Sequence, residues 1–107
     1  MAPPITKGTK KAIKEELDRV NKVITETESE ISELEKQIVD AGWQKLGFVA
    51  IVTGNYGPEE RVAAQRNHEE VCDKENTLII NKKRAEGRLV TLQKNQRKLE
   101  EQYQFAV

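Results

Sequence analysis

Between Ile13 and Ala41, seam side chains return at alternating intervals of four and three residues: Ile13, Leu17, Val20, Ile24, Thr27, Ile31, Leu34, Ile38 and Ala41. A helix turns once in about 3.6 residues, so this spacing puts all of them on one stripe, and four sustained heptads predict a helix that pairs with another helix. Leu17, Ile24, Ile31 and Ile38 form one class of seam position. Ile13, Val20, Thr27, Leu34 and Ala41 form the other, with Thr27 its polar member. Glu15 with Arg19 and Asp18 with Lys22 add i,i+4 support to the same helix.

Beyond Ala41 the period loosens, and Gly42 and Gly47 each weaken helix by up to about 1 kcal/mol against alanine. Trp43, Leu46, Phe48, Val49, Ile51 and Val52 are read as continuing the helix to a turn. The alternative is a short strand over the β-branched run from Phe48 to Thr53. Helix is preferred, because a lone strand would leave its backbone edge unpaired unless another copy supplied the partner.

Thr53-Gly54-Asn55-Tyr56-Gly57-Pro58 concentrates the turn chemistry of the chain. Two glycines tolerant of positive φ and a proline suited to a first helical position predict that the chain reverses here. Glu59 and Glu60 follow, opposing the positive end of a new helix dipole. In this second helix every seventh residue is apolar: Ala64, Val71, Leu78, Ala85, Leu92, Leu99 and Ala106. The alternate seam positions are His68, Glu75, Lys82, Leu89, Gln96 and Tyr103, so this seam is only half dry. Cys72, Ile79 and Val90 cluster to one side of it, with Val62 and Ile80 further round, and a two-helix hairpin cannot bury both faces.

The pattern predicts an all-α fold, a long antiparallel helical hairpin of the coiled-coil kind over residues 9–107. Its turn lies near 53–58, and a flexible tail over residues 1–8 precedes a helix that Thr9 caps. With the turn centred near residue 55 or 56, opposed positions sum to about 111, which sets Ile13 against Lys98 and Ile31 against Ile80. The uncovered second stripe predicts a dimer forming a four-helix bundle. Whether the copies pair parallel or antiparallel is open at this level. Long helical hairpins occur in prefoldin subunits and in the coiled-coil arms of some aminoacyl-tRNA synthetases. A prefoldin-like subunit needs strands between its helices, for which this chain has one run, and the outline is shared too widely to carry function.

Composition agrees with a thin core. Of 107 residues, 36% are apolar and 5% aromatic, too few for a large globular interior. Eighteen cationic and eighteen anionic side chains cancel, which argues against a wholesale polycation for nucleic acid or an acidic membrane. Charge is local instead: residues 15–40 hold nine acids and three bases, and residues 82–98 hold seven bases and one acid. The longest apolar run, Phe48 to Val52, is far short of the roughly twenty residues of a membrane span. Cys72 is the only cysteine, the start has neither a secretory h-region nor an acid-poor transit pattern, and a cytoplasmic or nuclear location is expected.

The candidate sites are surfaces. The oligomer seam comprises Leu17, Ile24, Ile31, Leu34, Ile38, Val71, Leu78, Leu92 and Leu99, and Cys72, Ile79 and Val90 make a second interface. Trp43, Phe48 and Tyr56, close to the turn, make a candidate partner site, since aromatic anchors dominate interface energetics. Lys83, Arg84, Lys94, Arg97 and Lys98 face away from the helix 2 seam and form a candidate nucleic-acid face, to which Lys7, Lys10, Lys11 and Lys14 could add. The acidic helix beside it and the lack of interleaved aromatics weigh against that use. His68 and Cys72 share a helical face, and two copies would assemble a Cys2His2 set, yet a semi-buried thiol beside a polar seam residue explains both.

Catalysis has little to work with. The chain has one histidine, no GxxxxGK[ST] loop and no nucleophile elbow, and its carboxylates fall on exposed helical faces. The expectation is a non-enzymatic oligomerisation or scaffolding protein without cofactor, metal or small-molecule substrate, whose first partner is another copy of itself, with another protein as a second candidate. An RNA-binding hairpin is the alternative.

Overall fold

A computed structural model describes residues 10–106 and contains two helices, α1 (Lys10–Thr53) and α2 (Pro58–Phe105), that pack against each other as a hairpin. The expected tail over residues 1–8, the Thr9 cap and Lys7 lie outside the described residues. Helix continues through Gly42 and Gly47 to Thr53, so the alternative of a strand from Phe48 does not hold. Continuing the helix leaves only the carbonyls of its last turn in need of partners, whereas a lone strand would leave a whole edge unpaired.

The chain divides into two compact units. The terminal unit comprises Met1–Glu30 with Ala85–Val107, of which 10–30 and 85–106 are described; the turn unit comprises Ile31–Arg84. In the terminal unit Ile13, Val20, Ile24 and Leu99 form a buried cluster, against which Leu17, Leu89, Leu92, Tyr103 and Ala106 pack. Thr27 is buried beside them at no polar cost, because its hydroxyl donates to the Val23 carbonyl at 2.8 Å. In the turn unit the buried apolar residues are Ala41, Ala64, Val71 and Leu78. Alanine at two of these positions puts little side-chain bulk between the helices.

Depth varies along the seam. On α1 Ile13, Val20, Thr27 and Ala41 of one class and Ile24 of the other are buried, while Leu34 of the first class and Leu17, Ile31 and Ile38 of the second are half-buried. On α2 the half-polar class of His68, Glu75, Lys82, Leu89, Gln96 and Tyr103 is half-buried throughout. The expected mixture of dry and wet positions is thus resolved by depth, with polar members at the rim.

Register departs from the expectation. Asn21 pairs with Gln96 and Glu30 with Arg88 in the terminal unit, at positions that sum to 117 and 118. In the turn unit Glu35 pairs with Lys82 and Lys45 with Glu75, at sums of 117 and 120. The observed pairing is therefore offset by about one heptad, roughly 10 Å of helix, from a sum of 111. Dry positions would still meet after a seven-residue slip, so apolar spacing does not choose between the two. Charge does: the observed register joins Lys45 to Glu75 and Lys82 to Glu35, whereas the slip would bring Lys45 toward His68.

At the turn, the Thr53 hydroxyl donates to the Val49 carbonyl at 2.8 Å and the Gly54 N–H donates to the Ile51 carbonyl at 3.3 Å, tightening the last turn of α1. Neither Gly54 nor Gly57 uses positive φ. Gly54 is required for proximity instead, since a Cβ there would stand 2.5 Å from the Ala50 carbonyl oxygen. The Arg61 N–H donates to the Gly57 carbonyl at 3.0 Å, and Glu59 and Glu60 occupy the first turn of α2 as expected.

Candidate functional site

Every residue of the predicted oligomer seam lies at the contact of α1 with α2. Ile24, Val71, Leu78 and Leu99 are buried and Leu17, Ile31, Leu34, Ile38 and Leu92 half-buried within the single chain. Hairpin closure covers this seam most fully at the four buried positions. In the predicted second interface, Cys72 and Ile79 are half-buried in the turn unit and Val90 is 51% exposed in the terminal unit. The Cys72 Sγ lies 3.7 Å from His68 Nδ1, a weak contact between neighbours on one helical face. Among the described residues no group of three or more histidine, cysteine or carboxylate side chains could hold a metal ion.

The aromatic grouping near the turn changes membership. Phe48 is half-buried on the seam side of α1, whereas Trp43 is 69% and Tyr56 49% exposed. Trp43 is joined on its own face by Val39 and Leu46, which are 57% and 61% exposed. Spacings of four, three and four from Val39 through Trp43 and Leu46 to exposed Ala50 keep this set on one stripe, about 170° around the helix from the Leu34, Ala41 and Phe48 side. The second half of α1 is therefore apolar on both faces. Sequence reading grouped Trp43 with its neighbours in the chain and missed Val39 and Leu46; the interval pattern was the signal that could have found them.

Gly42 and Gly47 flank the stripe, and a Cβ at either would meet nothing within 4 Å. Nothing inside the hairpin requires glycine there. Beside the stripe stand exposed Glu35, Lys36 and Asp40, which with Ser32 and Val39 line an open groove on α1. From Leu46 to Pro58 there is no charged residue.

The charged segments meet each other inside the units. Arg88 holds Glu30 at 2.7 Å in the terminal unit, and Lys82 lies 3.5 Å from Glu35 in the turn unit. Part of the acidic and basic bias is thereby matched within one chain. Lys45 and Glu75 are the most enclosed pair, at 2.6 Å with side chains 28% and 17% exposed. The hydrogen bond to Glu75, reinforced by its charge, raises the Lys45 pKa above its ordinary value against the opposing effect of burial. Lys83, Arg84, Lys94, Arg97 and Lys98 are all exposed, the first two in the turn unit and the others in the terminal unit. Lys10 rests over the Tyr103 ring at 4.9 Å, so one lysine of the proposed basic extension is engaged within its own unit.

These features define a helical hairpin with apolar surface beyond its own seam. No protein-family model matches the chain, and no curated protein or solved structure is significantly similar to it. No described helix is long and apolar enough to cross a membrane.

Proposed function

We propose that this chain is a non-enzymatic oligomerisation or scaffolding module that associates with copies of itself, in the cytoplasm or nucleus. The observation that carries the reading is the solvent-facing stripe of Val39, Trp43 and Leu46 on a helix whose opposite face is already packed. Contiguous apolar surface of this kind marks interaction sites, and a tryptophan flanked by aliphatic side chains is a common anchor at interfaces. The shape of the surface favours a macromolecular partner over a small substrate, since it is a convex helix face and small ligands take concave sites. A dimer joined at this stripe would hold four helices with the two copies of α1 at its centre, a row in place of the four-helix bundle expected from the pattern of α2.

Light scattering over a concentration series tests this reading. A molar mass rising toward twice that of the chain supports it, and a mass that stays at 12.2 kDa up to high micromolar concentration overturns it. Filter retention of RNA or DNA that falls steeply with salt would move the exposed Lys94, Arg97 and Lys98 to the centre of the account. A scaffold shows no retention at either salt concentration.

A further inference from the structure

We infer that two copies of the chain pair antiparallel, about a twofold axis lying between Trp43 and Leu46, through the outer stripe of α1. This rests on the self-association proposed above and names its surface and direction. The spacing of Val39, Trp43, Leu46 and Ala50 is that of a coiled-coil seam, so the complement that fits it is another helix. Continued in both directions, the same spacing reaches Lys36 and Thr53, both exposed.

Direction follows from the charges that flank and end this stripe. In a parallel pair, Lys36 would face Lys36 of the other copy, and the flanking Glu35 would face Asp40 twice over, once on each side. Like charges would meet at three points. In the antiparallel pair, Val39 lies against Ala50, Trp43 against Leu46 and Lys36 against Thr53 of the other copy. Lys36 then reaches the C-terminal turn of the opposite α1, which contains no basic residue of its own to offset the negative end of its dipole.

The flanking positions agree. Antiparallel pairing sets Gly42 against Val49 on one side of the stripe and Asp40 against Gly47 on the other, each pair occurring twice by symmetry. Val49 is 42% exposed in the single chain, and the open space at Gly42 gives it a place to pack. The two glycines, unexplained within the hairpin, become the positions where the second backbone comes close.

Cross-linking in a Cys72→Ser background tests the direction. Val39→Cys and Ala50→Cys are made as separate proteins, leaving Trp43 and Leu46 in place, then oxidised alone and mixed. The antiparallel pair sets the two Val39 positions about 16 Å apart along the axis, beyond disulfide reach. Each protein alone should stay unlinked and the mixture should form the mixed disulfide. Trp43→Glu should weaken dimerisation at least about tenfold while circular dichroism shows helix retained, since Trp43 lies opposite the packed seam.

Failure separates the two levels. Wild-type protein that is monomeric at high micromolar concentration overturns self-association and this pairing together. A wild-type dimer in which Val39→Cys links to itself, or in which Trp43→Glu dimerises as tightly as wild type, overturns the pairing alone and leaves self-association standing.

Discussion

Ile13 is the most enclosed large side chain among the described residues, at 1% exposure, while Ile31 sits half-buried one seam class away. The two isoleucines occupy the same heptad stripe, so their sequence context treats them alike. Depth decides what each contributes. Ile13→Ala should destabilise the hairpin by about 2–5 kcal/mol, as a large-to-small change in a filled core. Ile31→Ala should cost about half as much, because part of its surface is already in water in the folded state. Urea melts of both, with exposed Ser32→Ala as the near-neutral control, check the order; equal effects at positions 13 and 31 would mean that the two positions do not differ in depth. Trp43 gives the same lesson outside the core. Its place near the turn was legible, but its companions Val39 and Leu46 emerged only once helix was established through residue 53.

At the scale of the element, α1 is a 44-residue helix that carries two interior glycines without breaking. Packing of its inner face offsets their low propensity, as is usual for helices in folded proteins. Since a Cβ at Gly42 or Gly47 meets open space, Gly42→Ala and Gly47→Ala should each stabilise the isolated hairpin by up to about 1 kcal/mol. Gly54→Ala should do the opposite, because its Cβ would collide with the Ala50 carbonyl and the Tyr56 ring at the helix end. Thermal melts at a concentration that keeps the protein monomeric separate these outcomes. A loss of stability at positions 42 and 47 would show that their glycines serve the hairpin itself. The pattern of turn residues predicted where α1 stops, but assigned Gly54 to backbone freedom when close approach is the reason.

For the whole molecule, the pairing of one helix with the other is the property that local pattern left open. A heptad seam is periodic, so sliding one helix by seven residues keeps apolar positions opposed and changes only which polar groups meet at the rim. The contacts of Asn21 with Gln96 and Glu30 with Arg88 place Val20 and Leu99 at the same level of the terminal unit, where both belong to one buried cluster. In a Cys72→Ser background, Val20→Cys with Leu99→Cys should therefore close a disulfide within the chain. Ile13→Cys with Lys98→Cys, opposed in the register centred on residue 55 or 56, should not. Mass spectrometry under mild oxidation reads the result, and the reverse outcome would restore the slipped register.

The sequence by itself determined two long helices, the turn between them, and which residues form the seam, because those depend on intervals along one chain. Helix periodicity, proline and glycine chemistry and charge at a helix start all act over a few residues and are written locally. Tertiary structure decided the register, the depth of each seam position and the exposure of the outer face, because these depend on what lies opposite. Lys45 became a rim partner of Glu75 only through a contact thirty residues away in the chain. The stripe of Val39, Trp43 and Leu46 became a surface only because the hairpin buries the other side of the same helix.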